Sequence, residues 1–312
     1  MTGPLPMAHG PSGWVGASSG TPPLANATAL PVAVAWNWRP EVLLPLALLL
    51  TVYGIGWWRL RGRSLSLAPP WRLLSWISGI VAVGAALISP IDRLADDLFF
   101  VHMMQHLLLI KVAAPAMLLA NPLTPILWGL PGPIRFRAGR LLAPGAPVRI
   151  AAQALTWLPA AWLVYTVTLW LWHLPGPYDA ALGDRLLHDS EHLAFFWTGV
   201  LFWWPLIGPA PRLGNRVQPG TRIVYVVLAA FQETVLGLLL AVVPWVLYSS
   251  YALAPRVLVF GAQEDQAWGG IIMWGAGGAI DMLAVLVLVF QLLGQKQQPA
   301  PSVIGIRPRG AS

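Results

Sequence analysis

The chain of 312 residues contains no cysteine. That excludes disulfides, thiolate metal sites, CxxC copper or haem motifs and cysteine nucleophiles in one step, so any metal must be held by His, Met, Asp, Glu or backbone. Charge is scarce too: Asp, Glu, Lys and Arg make up 10% of the residues, against about a quarter in soluble domains. No Walker A, GxGxxG or HExxH pattern occurs, so nucleotide chemistry finds no support. The last apolar segment has no lysine before Lys296, which removes the Schiff-base partner a retinal protein would want.

What fills the chain instead is apolar: 57% hydrophobic residues, with a mean hydropathy of +0.65. Runs near the roughly 20 residues needed to cross a bilayer fall at 42–58, 73–90, 98–120, 150–172, 190–208, 223–248 and 268–293. The expectation is an all-α, polytopic membrane protein, a bundle of seven transmembrane helices. Eighteen tryptophans suit interfacial anchoring. Residues 1–40 are Gly/Pro/Ser-rich and read as a disordered external segment, 41–294 as the membrane domain, and 295–312 as a basic cytoplasmic tail. No basic stretch precedes an apolar core at the start, so no cleavable signal is expected.

The net charge of +7 raises the question of nucleic acid, but its placement answers to topology. The loops after the first, third, fifth and seventh runs hold basic residues from Arg59, Arg61, Arg63 and Arg72 through Arg135, Arg137, Arg140 and Arg149 to Arg212, Arg216, Arg222, Lys296, Arg307 and Arg309, with no Asp or Glu. The other side carries ten acids, including Glu41, Asp92, Asp179, Asp189 and Glu264. The positive-inside rule then puts the N-terminus outside and the C-terminus in the cytoplasm. The basic side also suits anionic lipid headgroups, and no nucleic-acid partner is expected.

Against that topology the histidines become informative. All six lie on the outer side or in the outer third of the membrane: His9, His102 and His106 in VHMMQHLLL, His173 in LWHLPGPY, and His188 and His192 in HDSEHLAFF. Two pairs have i,i+4 spacing, which puts both imidazoles of a pair on one helix face, close enough to share a metal. Imidazole suits copper, zinc and iron, so copper or zinc is expected, with haem as a further reading. Met103 shares a helix edge with His106, and Met273 lies at a similar depth; a thioether beside imidazoles favours Cu(I). Met7 and His9 could catch copper at the N-terminus, whereas Met104 and Met282 read as packing. Asp189 and Glu191 are placed to orient an imidazole from behind or to be ordinary interfacial acids.

Lys111, Glu233 and Asp281 fall near the middle of their runs, where ionisable groups are expensive and functional by default. They read either as a structural ion pair, Lys111 with Glu233 or Asp281, or as a polar path towards the histidines. Met273, Gly277 and Asp281 repeat every four residues and form one stripe.

HDSEH also matches the H-x-x-E-H zinc signature of inverted zincins. A membrane-embedded zinc hydrolase would use Glu191 as base and draw a third ligand from His102, His106 or His173, but the motif straddles a membrane boundary and leaves the extra histidines unexplained. A haem takes two axial ligands, so the paired histidines would be redundant there.

Together VHMMQHLLL, WHLPGPYDAAL, HDSEHLAFFWTGVLFWWPL and EDQAWGGIIMWGAG resemble the integral-membrane CtaG family of cytochrome c oxidase assembly proteins, in order and from about residue 37 to 293. The resemblance implies a non-enzymatic role in maturing a haem–copper oxidase in the bacterial cytoplasmic membrane, by holding copper or delivering it to the catalytic subunit. Carried over, the family's histidines become His102, His106, His173, His188 and His192, and its methionine becomes Met273. Oligomeric state and copper donor are not readable from the chain.

Overall fold

The computed structural model describes residues 36–296 except 211, 215, 216, 256, 257 and 260. Met7, His9, Arg216, Arg256, Arg307, Arg309 and the two terminal segments lie wholly or largely outside the described residues. Among those described there is no strand, and every regular element is a helix. Seven long segments follow the seven apolar runs: α1 (Pro40–Arg61), α2 (Pro70–Ile88), α3 (Phe99–Leu119), α4 (Leu158–Trp172), α5 (Arg185–Ile207), α6 (Pro219–Val242) and α7 (Ala262–Gly294). Three of them begin on a proline, whose missing N–H is not needed in the first turn and whose fixed φ already suits a helix.

Five of the seven, α1, α2, α3, α6 and α7, are long and apolar enough to cross a bilayer. The fourth run differs from the continuous span expected. It is a bent pair, Pro147–Leu155 and Leu158–Trp172, meeting at 70°, and counts as a sixth candidate only if both parts are taken together. The break lies ahead of Pro159, whose ring cannot donate to the carbonyl one turn back and would clash with it. At 23 residues α5 is long enough, but Arg185, His188, Asp189, Glu191 and His192 dilute its apolar character. The chain is built as a multi-pass membrane protein. Large apolar side chains stand outward along its helices, Leu48 at 63%, Phe231 at 67% and Phe290 at 74% exposure, which a water-facing surface of this extent would not tolerate.

Two helices contain a widened π turn, Leu108–Ala113 in α3 and Met273–Gly277 in α7. In the first, the Trp203 indole of α5 donates to the Ile110 carbonyl at 2.9 Å, satisfying an acceptor in the widened turn. The turn also matters for position. Five residues along a regular helix separate His106 from Lys111 by about 140°, and the wider turn reduces that angle. Both side chains line one cavity.

Helices α6 and α7 approach so closely at Gly237 and Gly270 that a Cβ on Gly270 would collide with the Gly237 carbonyl oxygen and the Ala241 nitrogen. This contact sets the spacing between the helices that carry Glu233 and Asp281.

Candidate metal centre

The first turns of α3 and α5 bring four histidines together. The N-terminus of α3 is capped from a distance: Asp265 of α7 accepts from the backbone N–H of Phe99 at 2.8 Å and of Phe100 at 3.0 Å. A carboxylate here meets both the unpaired amides and the positive end of the helix dipole. One turn on, Gln105 donates to the Ala86 carbonyl at 2.7 Å and to Asp92 at 3.0 Å, tying α3 to α2. The start of α5 is capped by its own Asp184, which accepts from Leu187 N–H. Asp189 takes both oxygens to the Arg39 guanidinium at 2.6 and 2.5 Å, and Arg39 and Arg185 share Glu41. Asp189 therefore fastens the end of α1 to α5, the interfacial alternative for this acid.

The imidazoles form a continuous cluster. Ring centroids lie 4.3 Å apart for His102 and His106, 4.3 Å for His188 and His192, 5.0 Å for His102 and His188, and 5.5 Å for His106 and His192. Two overlapping groups have donor atoms mutually within 4.8 Å: His102 with His188 and His192, and His102 with His106 and Glu191. His102 belongs to both. His188 is partly exposed, while His102, His106, His192 and Glu191 are buried.

Hydrogen bonds decide which nitrogens are bare. The Tyr251 hydroxyl donates to the Ala95 carbonyl at 2.7 Å, so at 2.7 Å from His102 Nδ1 its oxygen accepts the Nδ1 proton. Tyr178 Oη lies 3.0 Å from the same nitrogen. His102 Nε2 is left without a proton and faces His188 Nε2 at 3.4 Å. His173 follows the same logic: its Nδ1–H donates to the Leu169 carbonyl at 2.7 Å, which leaves Nε2 bare. That nitrogen, both ring nitrogens of His106 and His192, and both oxygens of Glu191 are buried without a hydrogen-bond partner among the described residues. Glu191 comes only to 3.7 Å from His106 Nε2, beyond hydrogen-bond reach.

Buried polar atoms nearly always find partners, because an unpaired one costs about 1–3 kcal/mol. Seven such atoms on four neighbouring residues are chemically what a metal ion would satisfy, and the donor set of imidazole nitrogens and one carboxylate suits a late transition metal. His173 and Met273 sit on the far side of His106, lining a cavity of ≈ 20 Å³ that also touches Met103, Lys111 and Glu233. Met104 and Met282 are exposed on the helix surface.

Lys111, Glu233 and Asp281 do meet, and Lys111 bonds both acids rather than one. Its ammonium donates to Glu233 at 3.0 Å and to Asp281 at 2.7 and 2.9 Å. Tyr165 of α4 adds a hydrogen bond to Glu233 Oε1 at 2.6 Å. Met273, Gly277 and Asp281 are all buried on one stripe.

Sequence reasoning passed over Tyr178, Tyr251, Tyr165 and Asp265. Tyr178 lay inside one of the motifs, and a buried phenol beside a histidine-rich helix end was the signal available. Asp265 also lay inside a motif, but its role as a cap depends on Phe99, 166 residues away, and Tyr251 gave no local signal, because its partner His102 is 149 residues away.

No solved structure matches the chain. An uncharacterized protein of Mycobacterium leprae is 27% identical over 83% of this chain and 39% of its own length. Uncharacterized proteins of Mycobacterium bovis and Mycobacterium tuberculosis are each 25% identical over 96% of this chain and 45% of theirs. The chain thus spans less than half the length of these relatives. The family model described as cytochrome c oxidase caa3 assembly factor (Caa3_CtaG) covers residues 51–295, four motifs and the histidine cluster included, and the chain belongs to that family.

Proposed function

We propose that this chain binds copper as cargo in the cluster of His102, His106, His188, His192 and Glu191 and helps to load it into a haem–copper oxidase subunit in the same bacterial membrane. The observation that carries the reading is the set of buried, bare donor atoms on His106, His192 and Glu191, within reach of His102 and His188. In this reading all seven long segments cross the bilayer, α5 included, and the arginine-poor end with the histidines faces outward. His173 and Met273 are further ligands in reserve behind His106, where a thioether would favour Cu(I).

The two overlapping groups suggest how an ion moves. His188 is the partly exposed point of capture, and His102 belongs to both groups, so ligand exchange at His102 takes the ion from His188 and His192 to His106 and Glu191 without returning it to water. Tyr178 and Tyr251 hold His102 in the tautomer that presents Nε2. Such a site exchanges metal rather than activating a bound water. Glu191 stands within ligand range of two imidazoles, which supports a charge-balancing role over that of a general base, and hence a non-enzymatic protein.

The test is metal analysis of the purified full chain and of the His102→Ala/His106→Ala double variant after loading with Cu(I). Copper near one per chain in the wild type and its loss in the variant are expected. Equal copper in both would overturn the site, and zinc with peptide hydrolysis would instead favour the hydrolase reading of HDSEH.

A further inference from the structure

The mid-membrane group of Lys111, Glu233, Asp281 and Tyr165 has a charge imbalance that the ion-pair reading does not resolve. One ammonium faces two carboxyl groups, and all three residues are nearly inaccessible, at 3%, 4% and 1% exposure. With every group ionised, the site would carry an uncompensated negative charge deep in a low-dielectric medium, an expensive arrangement. Holding one proton makes it neutral. Asp281 receives two contacts from the ammonium, and Glu233 receives one from it and one from Tyr165, so the two carboxyls hold that one proton between them.

The site is also placed to give that proton up. The cavity of ≈ 20 Å³ beside it is lined by Lys111, Tyr165 and Glu233 at one end and by His106 and His173 at the other. That volume holds about one water molecule, and the walls supply the polar partners such a water needs. The titratable groups facing Glu233 are Lys111 from α3, Tyr165 from α4 and Asp281 from α7, with Tyr225 of α6 next to Tyr165 and the two histidines across the cavity. Two of the four helices that reach it, α3 and α7, contain widened turns, a feature frequent at functional sites.

We propose that Lys111, Glu233, Asp281 and Tyr165 form a buried proton-binding site that releases one proton through this cavity when a monovalent metal cation enters the histidine cluster. The inference rests on the copper reading given above. The carboxyl O–H bond of the Glu233–Asp281 pair breaks, the proton passes to the water position and out past the histidines, and the second carboxylate stays behind. One positive charge enters the membrane interior and one leaves, so the buried net charge does not change. No electron moves. The coupling makes copper loading dependent on pH, tighter as pH rises, and makes copper release favour proton uptake.

The experiment is a Cu(I) titration of the full chain in weakly buffered detergent solution, reading protons released and copper bound in the same sample. About one proton per copper is expected from the wild type and none from Glu233→Gln, with copper stoichiometry retained. Equal proton release from both proteins, which would point to Glu191 as the source, overturns the inference. Wild type that binds no copper overturns the copper reading and the coupling with it. The metal-free protein then decides the proton site alone, by whether the protonated-carboxyl stretch is present in its infrared spectrum at neutral pH. If Glu233→Gln does not fold, loss of that band on copper addition to the wild type supports the coupling, and a band unchanged by bound copper overturns it.

Discussion

Two buried polar clusters share the cavity between His106 and Lys111, and they are built on opposite rules. In the mid-membrane cluster each charged group has protein partners: Lys111 bonds two carboxyls, and Glu233 also accepts from Tyr165. In the outer cluster His106, His192 and Glu191 are buried with no hydrogen-bond partner among the described residues. A satisfied network holds helices together. An unsatisfied one costs stability unless something from outside completes it. The difference separates a structural, charge-storing element from a receptor, although composition and depth look alike from the sequence.

Substitution should expose the contrast most sharply. Lys111→Met leaves two facing carboxyls without their cation, and removing one partner of a buried ion pair costs roughly 3–5 kcal/mol. His192→Leu removes a buried group that has no protein partner, so metal-free stability should change by about 1 kcal/mol or less, in either direction. Unfolding of both variants in the same detergent measures the two effects. Comparable destabilisation by both would mean that the outer cluster is as structural as the inner one.

A smaller effect is expected one layer behind the histidines. Tyr251→Phe deletes the oxygen that accepts the His102 Nδ1 proton while leaving the ring in place. Partners that orient a ligating histidine typically account for 10–100-fold in metal affinity. Tyr178 remains 3.0 Å from the same nitrogen, so a loss of roughly tenfold in Cu(I) affinity is expected, read by competition with a chelator. Unchanged affinity would detach Tyr251 from the site.

The long segments and the histidine pairs were legible because their causes are local. Apolar length marks a span, and i,i+4 spacing fixes which side chains share a helix face whatever the tertiary fold. The kink before Pro159 is local as well, yet an unbroken apolar run hid it. What stayed hidden depends on partners far along the chain. Asp189 could not be assigned to Arg39, 150 residues away, and Asp265 could not be seen to cap α3. That Lys111 would bond both acids depended on three helices and on a widened turn that no sequence period announces.

The finest test concerns how the tyrosines are held. Asp179, on the helix Pro175–Gly183 that carries Tyr178, accepts from Ser249 and Ser250 at 2.8 to 3.1 Å and so anchors the helix Ser249–Leu253 that carries Tyr251. Burial alone would push its carboxyl up, but these hydrogen bonds outweigh it and hold the group below its ordinary value. A carboxyl depressed in the folded state contributes stability that is present above its unfolded pKa of about 4 and is lost as pH falls through the lower folded value. Asp179→Ala should therefore cost about 1 kcal/mol at neutral pH, as loss of a helix cap does. The gap from wild type should close as the pH drops below about 4. Thermal unfolding of the two proteins at neutral and acid pH checks this, and a gap that stays constant across the range would show that Asp179 acts through packing rather than through its charge.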